Sequence, residues 1–313
     1  MEHRQTKQLF AKKVIDFPRK GKSREEAEER YYNEVAIIRS LKTHTHVIRL
    51  FASFTTPGSG GLLLQPAADE GDLHDYLDRF ANLVEKPANS STNLEAMTRV
   101  LEQAFGCLSS GLVYMHKRGI RHKDIKPRNI LIHQGIVIYT DFGASKDTNK
   151  DGHCTTEGAP DSVTRKYCAP EVLEFEKRNF AADIFSLGCV FIEMLIRLSR
   201  LSEPEGSEEA CYSGIMDSLH DLLLTADIPS KLAFLVCHVI DMTARDSLSR
   251  PTSDQVFDAI CHNIGFSCLD CRSIDLGAPS VSKTDMANNN REWTWSDEYQ
   301  NYYYVQYDQY SQL

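Results

Sequence analysis

The sequence predicts an α+β fold in which strands and one helix come first and a larger helical region follows. Three observations carry that expectation. Residues 8–17, QLFAKKVIDF, alternate in the manner of a strand; residues 23–42, SREEAEERYYNEVAIIRSLK, place apolar side chains at helical spacing; and the pattern from Asn179 to about Ile264 is mostly helical. No internal repeat interrupts this order. With 313 residues, 42% of them hydrophobic and 25% charged, the chain can bury a sizeable core as one large domain or two smaller lobes.

Taken in order, the elements raise specific questions. In the first strand Leu9, Ala11, Lys13 and Ile15 share a face, which puts one lysine in an apolar row. Ser23 and Glu26 then stand at capping-box spacing ahead of a helix. Along that helix Ala27, Tyr31, Val35, Ile38 and Leu41 form a stripe, and Glu34 falls inside it. A carboxylate there requires a partner, because an unpaired buried charge is costly. Lys13 is the candidate.

GLLLQPA, ending at Ala67, reads as a strand running into a connecting segment, and DEGDLHDYL as a turn opening a short helix. EKPANSSTN is a surface loop. From Met97 to Lys117 the spacing of Leu101, Ala104, Phe105, Leu108, Leu112 and Met115 is helical, with Gly119 as the stop. The basic stretch RHKDIKPRNIL, residues 121–131, follows as a loop. NILIHQGIVIYTDFG reads as two short strands joined at His133, Gln134 and Gly135, with Asp141 just past the second. A long polar loop follows Gly143, and an acidic run, SEPEGSEEA, interrupts the helical region.

Composition narrows the function classes. Lys and Arg total 35 against 44 Asp and Glu, a net charge of −9, so the broad basic field that nucleic acids need is missing and no nucleic-acid partner is expected. The most apolar run, IFSLGCVFIEMLI from Ile184, is too short to span a bilayer and carries Glu193; a buried helix is expected, and no membrane partner. Nine cysteines without an apolar leader read as reduced thiols in an intracellular protein, cytoplasmic or nuclear. Cys268 and Cys271 form a lone C-x-x-C without a second ligand pair; ordinary thiols in a tail are expected, with a metal half-site as the alternative.

The chemistry concentrates at Asp124, Lys126, Asn129 and Asp141. An Asp and an Asn on one loop, followed by an Asp at a strand end, bring together a base and two hard-oxygen ligands of the kind Mg²⁺ takes alongside substrate phosphates. Phosphoryl transfer needs little else beyond cations and positioning. In that chemistry Asp124 orients the attacking hydroxyl as base, and Lys126 neutralises charge on the transferring group. Asn129 and Asp141 are the metal ligands.

On these residues the sequence resembles the eukaryotic-type protein kinases. The matching pieces are HKD at His122–Asp124, KPRN at Lys126–Asn129, DFG at Asp141–Gly143, APE at Ala169–Glu171, DIFSLG from Asp183, and RP at Arg250 and Pro251. Lys13 and Glu34 fit the family's strand lysine and helix glutamate. The resemblance covers roughly residues 8–263 and implies a two-lobed fold, with a small, truncated β-rich lobe over 1–65 and a larger mainly helical lobe over 66–263; beyond it, the polar, Tyr-rich composition of residues 264–313 reads as a largely disordered or loosely docked tail. It implies ATP and Mg²⁺ as cofactors and a protein substrate. Lys13, Glu34, Asn129 and Asp141 would serve the nucleotide, as would Gln65 and Ala67 through hinge backbone groups. Asp183 would hold the 121–131 loop through its backbone N–H groups, Glu171 and Arg250 would form a buried ion pair, and His122 would be structural. Lys126–Pro127, with Thr164 ahead of YCAPE, resembles the serine/threonine-directed branch; Thr155, Thr156 and Ser162 are candidate phosphorylation sites. The sequence identifies no regulatory partner.

Two departures from the family pattern stand out. No glycine precedes Gly21, and only twelve residues precede Lys13, so the glycine-rich phosphate-covering hairpin is expected to be absent. Losing two charge-assisted backbone bonds at roughly 1.5–3 kcal/mol each would weaken nucleotide stabilisation roughly 10²–10⁴-fold. That makes a pseudokinase or scaffold the alternative to an active serine/threonine kinase; a small-molecule phosphotransferase would not be expected to carry APE and RP. Second, Lys123 stands where the family has arginine, and lysine lacks the planar fork, which implies a modest dependence on loop phosphorylation.

Overall fold

In the computed structural model the first strand is β1 (Ala11–Asp16), and it pairs antiparallel with β3 (Ser59–Gln65), which pairs in turn with β2 (Arg49–Thr56), giving the order β1-β3-β2. The structure describes residues 8–41, 44–85, 91–151, 165–176, 178–204, 206, 210–273, 294–296 and 301–303. They fall into two units, one formed by Met1–Lys42, Ile48–Ala67 and Ser273–Leu313, the other by Thr43–Val47 and Ala68–Arg272.

In the first unit α1 (Lys22–Ser40) follows β1. Its apolar stripe forms as expected: Ala27, Tyr31, Val35, Ile38 and Leu41 are buried, and so is Ile37. The expected capping box does not form. The helix starts one residue before Ser23, with Gly21 as its N-cap at φ 86° and no side-chain cap; the Gly21 carbonyl accepts from the Arg24 N–H instead. Only glycine enters that backbone region without strain. β2 has no counterpart in the sequence reading. A bulge between Leu50 and Ala52 breaks its period-two alternation, which is the signal a strand reading depends on. A short antiparallel pair, β8 (Thr294–Ser296) with β9 (Asn301–Tyr303), also belongs to this unit.

The second unit is mainly helical. Its elements are α2 (Leu73–Glu85), α3 (Ser91–Lys117), β4 (Ile120–Arg121), β5 (Ile130–His133), β6 (Ile136–Tyr139), β7 (Lys146–Asp147), α4 (Thr148–Asp151), α5 (Pro170–Leu173), α6 (Ala181–Leu198), α7 (Tyr212–Thr225), α8 (Ala233–Met242), α9 (Ser253–Cys261) and α10 (Leu269–Ser273). α6 is apolar on nearly every side and buried from Ala182 to Ile196 except at Ser186, so it forms the centre of the core. Each fully buried Leu, Ile or Phe there is worth about 1.5–3 kcal/mol relative to exposure. Among the described residues no helix is long and apolar enough to cross a membrane. A reciprocal capping box does occur, at Thr252 and Gln255 ahead of α9.

The packed chain extends past residue 263. Phe266 is buried against Phe105 and Phe234, and Cys271 in α10 is buried too. Residues 264–273 therefore belong to the folded body rather than to a disordered tail.

Candidate active site

The site grows out of the β5–β6 hairpin. Its register pairs Ile130 with Tyr139 and His133 with Ile136, and the two-residue turn puts Gln134 and Gly135 at φ 51° and 72°, the left-handed pair that matches the twist of a tight hairpin. Just outside the paired strands, the Thr140 N–H donates to the Asn129 carbonyl at 3.0 Å. This bond fastens Asn129, which ends a 3-10 turn at Pro127–Asn129, next to the backbone leading into Asp141.

Asp124 is held from two sides. Its Oδ2 accepts from Lys126 Nζ at 2.7 Å and from Asn129 Nδ2 at 2.9 Å, and Nδ2 also donates to the Asp124 carbonyl at 2.9 Å. With its NH₂ committed to Asp124, the Asn129 amide presents Oδ1 as its free-standing oxygen type, and Asp141 adds a carboxylate whose Oδ1 accepts from the Gly143 N–H at 3.4 Å. An amide oxygen and a carboxylate fixed on neighbouring backbone form a hard-oxygen donor set that fits Mg²⁺. The carboxylate of Asp124 is about one-fifth exposed, so solvent-side groups can reach it.

The loop itself is strained and clamped. Lys123 sits at φ 68° and Asp141 at φ 62°, a region non-glycine residues rarely adopt. Around Lys123, the buried Asp183 near the start of α6 accepts the His122 N–H on Oδ2 and the Lys123 N–H on Oδ1, both at 2.8 Å. His116, in the last turn of α3, adds Nε2 at 3.2 Å from Oδ2. Sequence reading missed His116, because nothing local links two side chains 67 residues apart. Burial alone would push the Asp183 pKa up; the His116 hydrogen bond and charge, with Arg121, hold it at about 2, against an ordinary 3.8.

A carboxylate depressed in the folded state contributes stability that is fully present above its unfolded value and is lost as pH falls through its folded value. Asp183 therefore supplies roughly 2 kcal/mol that disappears between about 3.8 and about 2. Denaturant titrations across that window should show a shallower acid loss for Asp183→Asn than for the parent; parallel curves would rule out this contribution.

His122 lies fully buried with its ring 5.0 Å from that of Phe142 and 5.8 Å from that of Tyr139. Its Nε2 is 3.0 Å from the Thr140 carbonyl, and burial holds it toward the neutral imidazole. It packs beneath the loop. Ser145 Oγ fastens the same point by donating to the His122 carbonyl at 3.0 Å.

In the first unit Lys13 Nζ donates to both oxygens of Glu34, at 2.7 and 2.9 Å, and Glu34 is 1% exposed. The cation in an apolar strand row and the anion in an apolar helix stripe thus satisfy each other. Gln65 closes β3, and the chain leaves the first unit after Ala67. In the second unit Arg250 makes a two-pronged pair with Glu171, Nη1 to Oε1 at 2.7 Å and Nη2 to Oε2 at 2.8 Å. Asp124, Lys126, Asn129 and Asp141 are together in the second unit; Lys13, Glu34, Gln65 and Ala67 are in the first. Thr155, Thr156, Ser162 and Thr164 lie outside the described residues.

The protein kinase domain family model matches residues 1–259. A serine/threonine-protein kinase H1 homolog of Danio rerio is 32% identical over 197 residues, 61% of this chain and 41% of its own length. The serine/threonine-protein kinase ksg1 of Schizosaccharomyces pombe is 30% identical over 258 residues, 78% of this chain and 40% of its own. Mitogen-activated protein kinase kinase kinase 2 of Arabidopsis thaliana is 32% identical over 164 residues, 52% of this chain and 23% of its own. The chain thus spans about two-fifths or less of the curated relatives it matches. With the family matched across most of its length, this chain belongs to the protein kinase domain family.

Proposed function

We propose that this chain is a serine/threonine protein kinase that transfers the γ-phosphate of ATP to Ser or Thr hydroxyls of a protein substrate. The observation that carries the reading is the Asp124 carboxylate, oriented by Lys126 at 2.7 Å and Asn129 at 2.9 Å. Asp124 orients the substrate hydroxyl and accepts its proton as the bond to phosphorus forms. Lys126, already beside Asp124, supplies positive charge to the phosphoryl group in flight. Lys13, aimed by Glu34, donates to the nucleotide phosphates, and Gln65 and Ala67 offer backbone groups to the base. Asn129 and Asp141 would hold Mg²⁺, whose charge would offset that developing on the phosphate oxygens. Preference for serine and threonine is supported by Lys126–Pro127 and by the names of the relatives. The setting would be intracellular.

Nucleotide binding can be measured apart from transfer. Mg·ATP at 100 times its dissociation constant should stabilise the fold by about 2.7 kcal/mol, visible as a rise in melting temperature. Lys13→Met should diminish that rise at the same concentration. If the parent chain shows neither a rise nor transfer of labelled phosphate, the scaffold reading replaces the enzyme.

A further inference from the structure

Four potential metal ligands converge in the second unit, away from Asp124 in sequence and unused by the proposed chemistry. His46, Cys107, Cys268 and Cys271 bring one ligand atom each to within 4.8 Å of all the others. His46, Cys107 and Cys271 are buried, and Cys268 is half-buried. The lone C-x-x-C thus has its second ligand pair after all, supplied from 161 and 222 residues away. We propose that these four side chains form a structural zinc site.

The geometry suits that ion. Tetrahedral zinc, with Zn–S near 2.3 Å and Zn–N near 2.0 Å, sets sulfur about 3.5 Å from nitrogen and about 3.8 Å from sulfur. Cys268 Sγ is 3.4 Å from His46 Nε2. His46 Nδ1 lies 2.7 Å from the Val137 carbonyl, an acceptor only, so Nδ1 carries the proton and donates. In the neutral ring Nε2 then offers its lone pair to the cluster, the arrangement in which an outer hydrogen bond fixes the tautomer of a zinc-bound histidine. Three soft thiolates and one imidazole select zinc over the hard cations. With three thiolates and a neutral imidazole as ligands, the metal-bound site has a charge near −1.

The surrounding backbone is shaped to bring these ligands together. The Gly106 N–H donates to the Phe266 carbonyl at 2.8 Å, and a Cβ at Gly106 would stand 2.5 Å from that oxygen. Only glycine lets the segment leading to Cys268 lie this close to α3, beside Cys107. The Cys268 N–H donates to Cys107 Sγ at 3.3 Å, and Thr45 Oγ1 donates to Asp270 Oδ2 at 3.3 Å. α10 is five residues long, too short to persist by its own hydrogen bonding. A metal tying it to α3 and to the segment before β2 supplies the missing anchor.

Elemental analysis of the full chain, purified without metal-affinity steps, should find about one zinc per molecule. The Cys268→Ser/Cys271→Ser double variant should lose it, whereas Cys237→Ser, at an exposed cysteine elsewhere, should keep it. Because the double variant could fail to fold, the parent chain carries the decisive measurement. Zinc should protect Cys107, Cys268 and Cys271 from alkylation until a chelator is added, and cobalt exchange should give the thiolate charge-transfer and intense visible bands of a tetrahedral site. Folded parent protein without zinc and without cobalt bands, or with Cys268 in a disulfide to Cys107 or Cys271, overturns the proposal.

Discussion

Asp124→Asn is expected to lower phosphate transfer to a protein substrate roughly 10²–10⁴-fold, the range of a positioned general base, while leaving the fold intact. The substitution is nearly isosteric, but it turns an acceptor with two oxygens into a group with one. In the parent, Lys126 Nζ and Asn129 Nδ2 both donate to the same oxygen, Oδ2. An amide can keep its oxygen toward those donors only by turning its NH₂ outward, where the substrate hydroxyl would meet a donor instead of a base. Nucleotide binding should change little, because Lys13, Asn129 and Asp141 are untouched. Transfer of labelled phosphate, measured beside the Mg·ATP melting shift, separates the two effects. Equal turnover in parent and variant would remove Asp124 from the chemistry.

Parts of this arrangement were legible in the sequence because they break a local pattern. Lys13 in an apolar strand row and Glu34 in an apolar helix stripe each violate periodicity, and one violation answers the other at 2.7 Å. The β5–β6 hairpin was legible for the opposite reason: short apolar strands flank a turn whose glycine takes φ 72°. The reading failed where signals were ambiguous or distant. Ser23 and Glu26 have the spacing of a capping box, but Gly21 opens the helix earlier. β2 hides behind a bulge. His116 meets Asp183, and His46 meets Cys268, only through the tertiary fold, across separations no motif encodes. Charge in the wrong place is visible in one dimension; a convergence of three chain segments is not.

Truncating Arg250 should produce the largest loss of stability, about 3–5 kcal/mol, because it removes one partner of a buried ion pair. The guanidinium side chain is 0% exposed and that of Glu171 6%. Arg250 does more than pair with Glu171. Its Nε donates to the Ala244 carbonyl at 2.7 Å, Nη1 to Ala181 at 3.0 Å and Nη2 to Arg245 at 3.1 Å, and the group stacks 4.9 Å from the Phe185 ring. It thereby joins α5, the start of α6 and the segment before α9. Arg250→Leu strands the Glu171 carboxylate without its counter-charge, and for a domain of this size the melting temperature should fall by roughly 6–20 °C. Replacing both residues, Glu171→Leu with Arg250→Leu, should be less damaging than Arg250→Leu alone, since no orphaned charge is left behind. Denaturant unfolding of the parent, both single variants and the double variant measures the coupling directly. A loss under about 1 kcal/mol for Arg250→Leu would show that the pair is solvated and that this junction is held by its apolar neighbours instead.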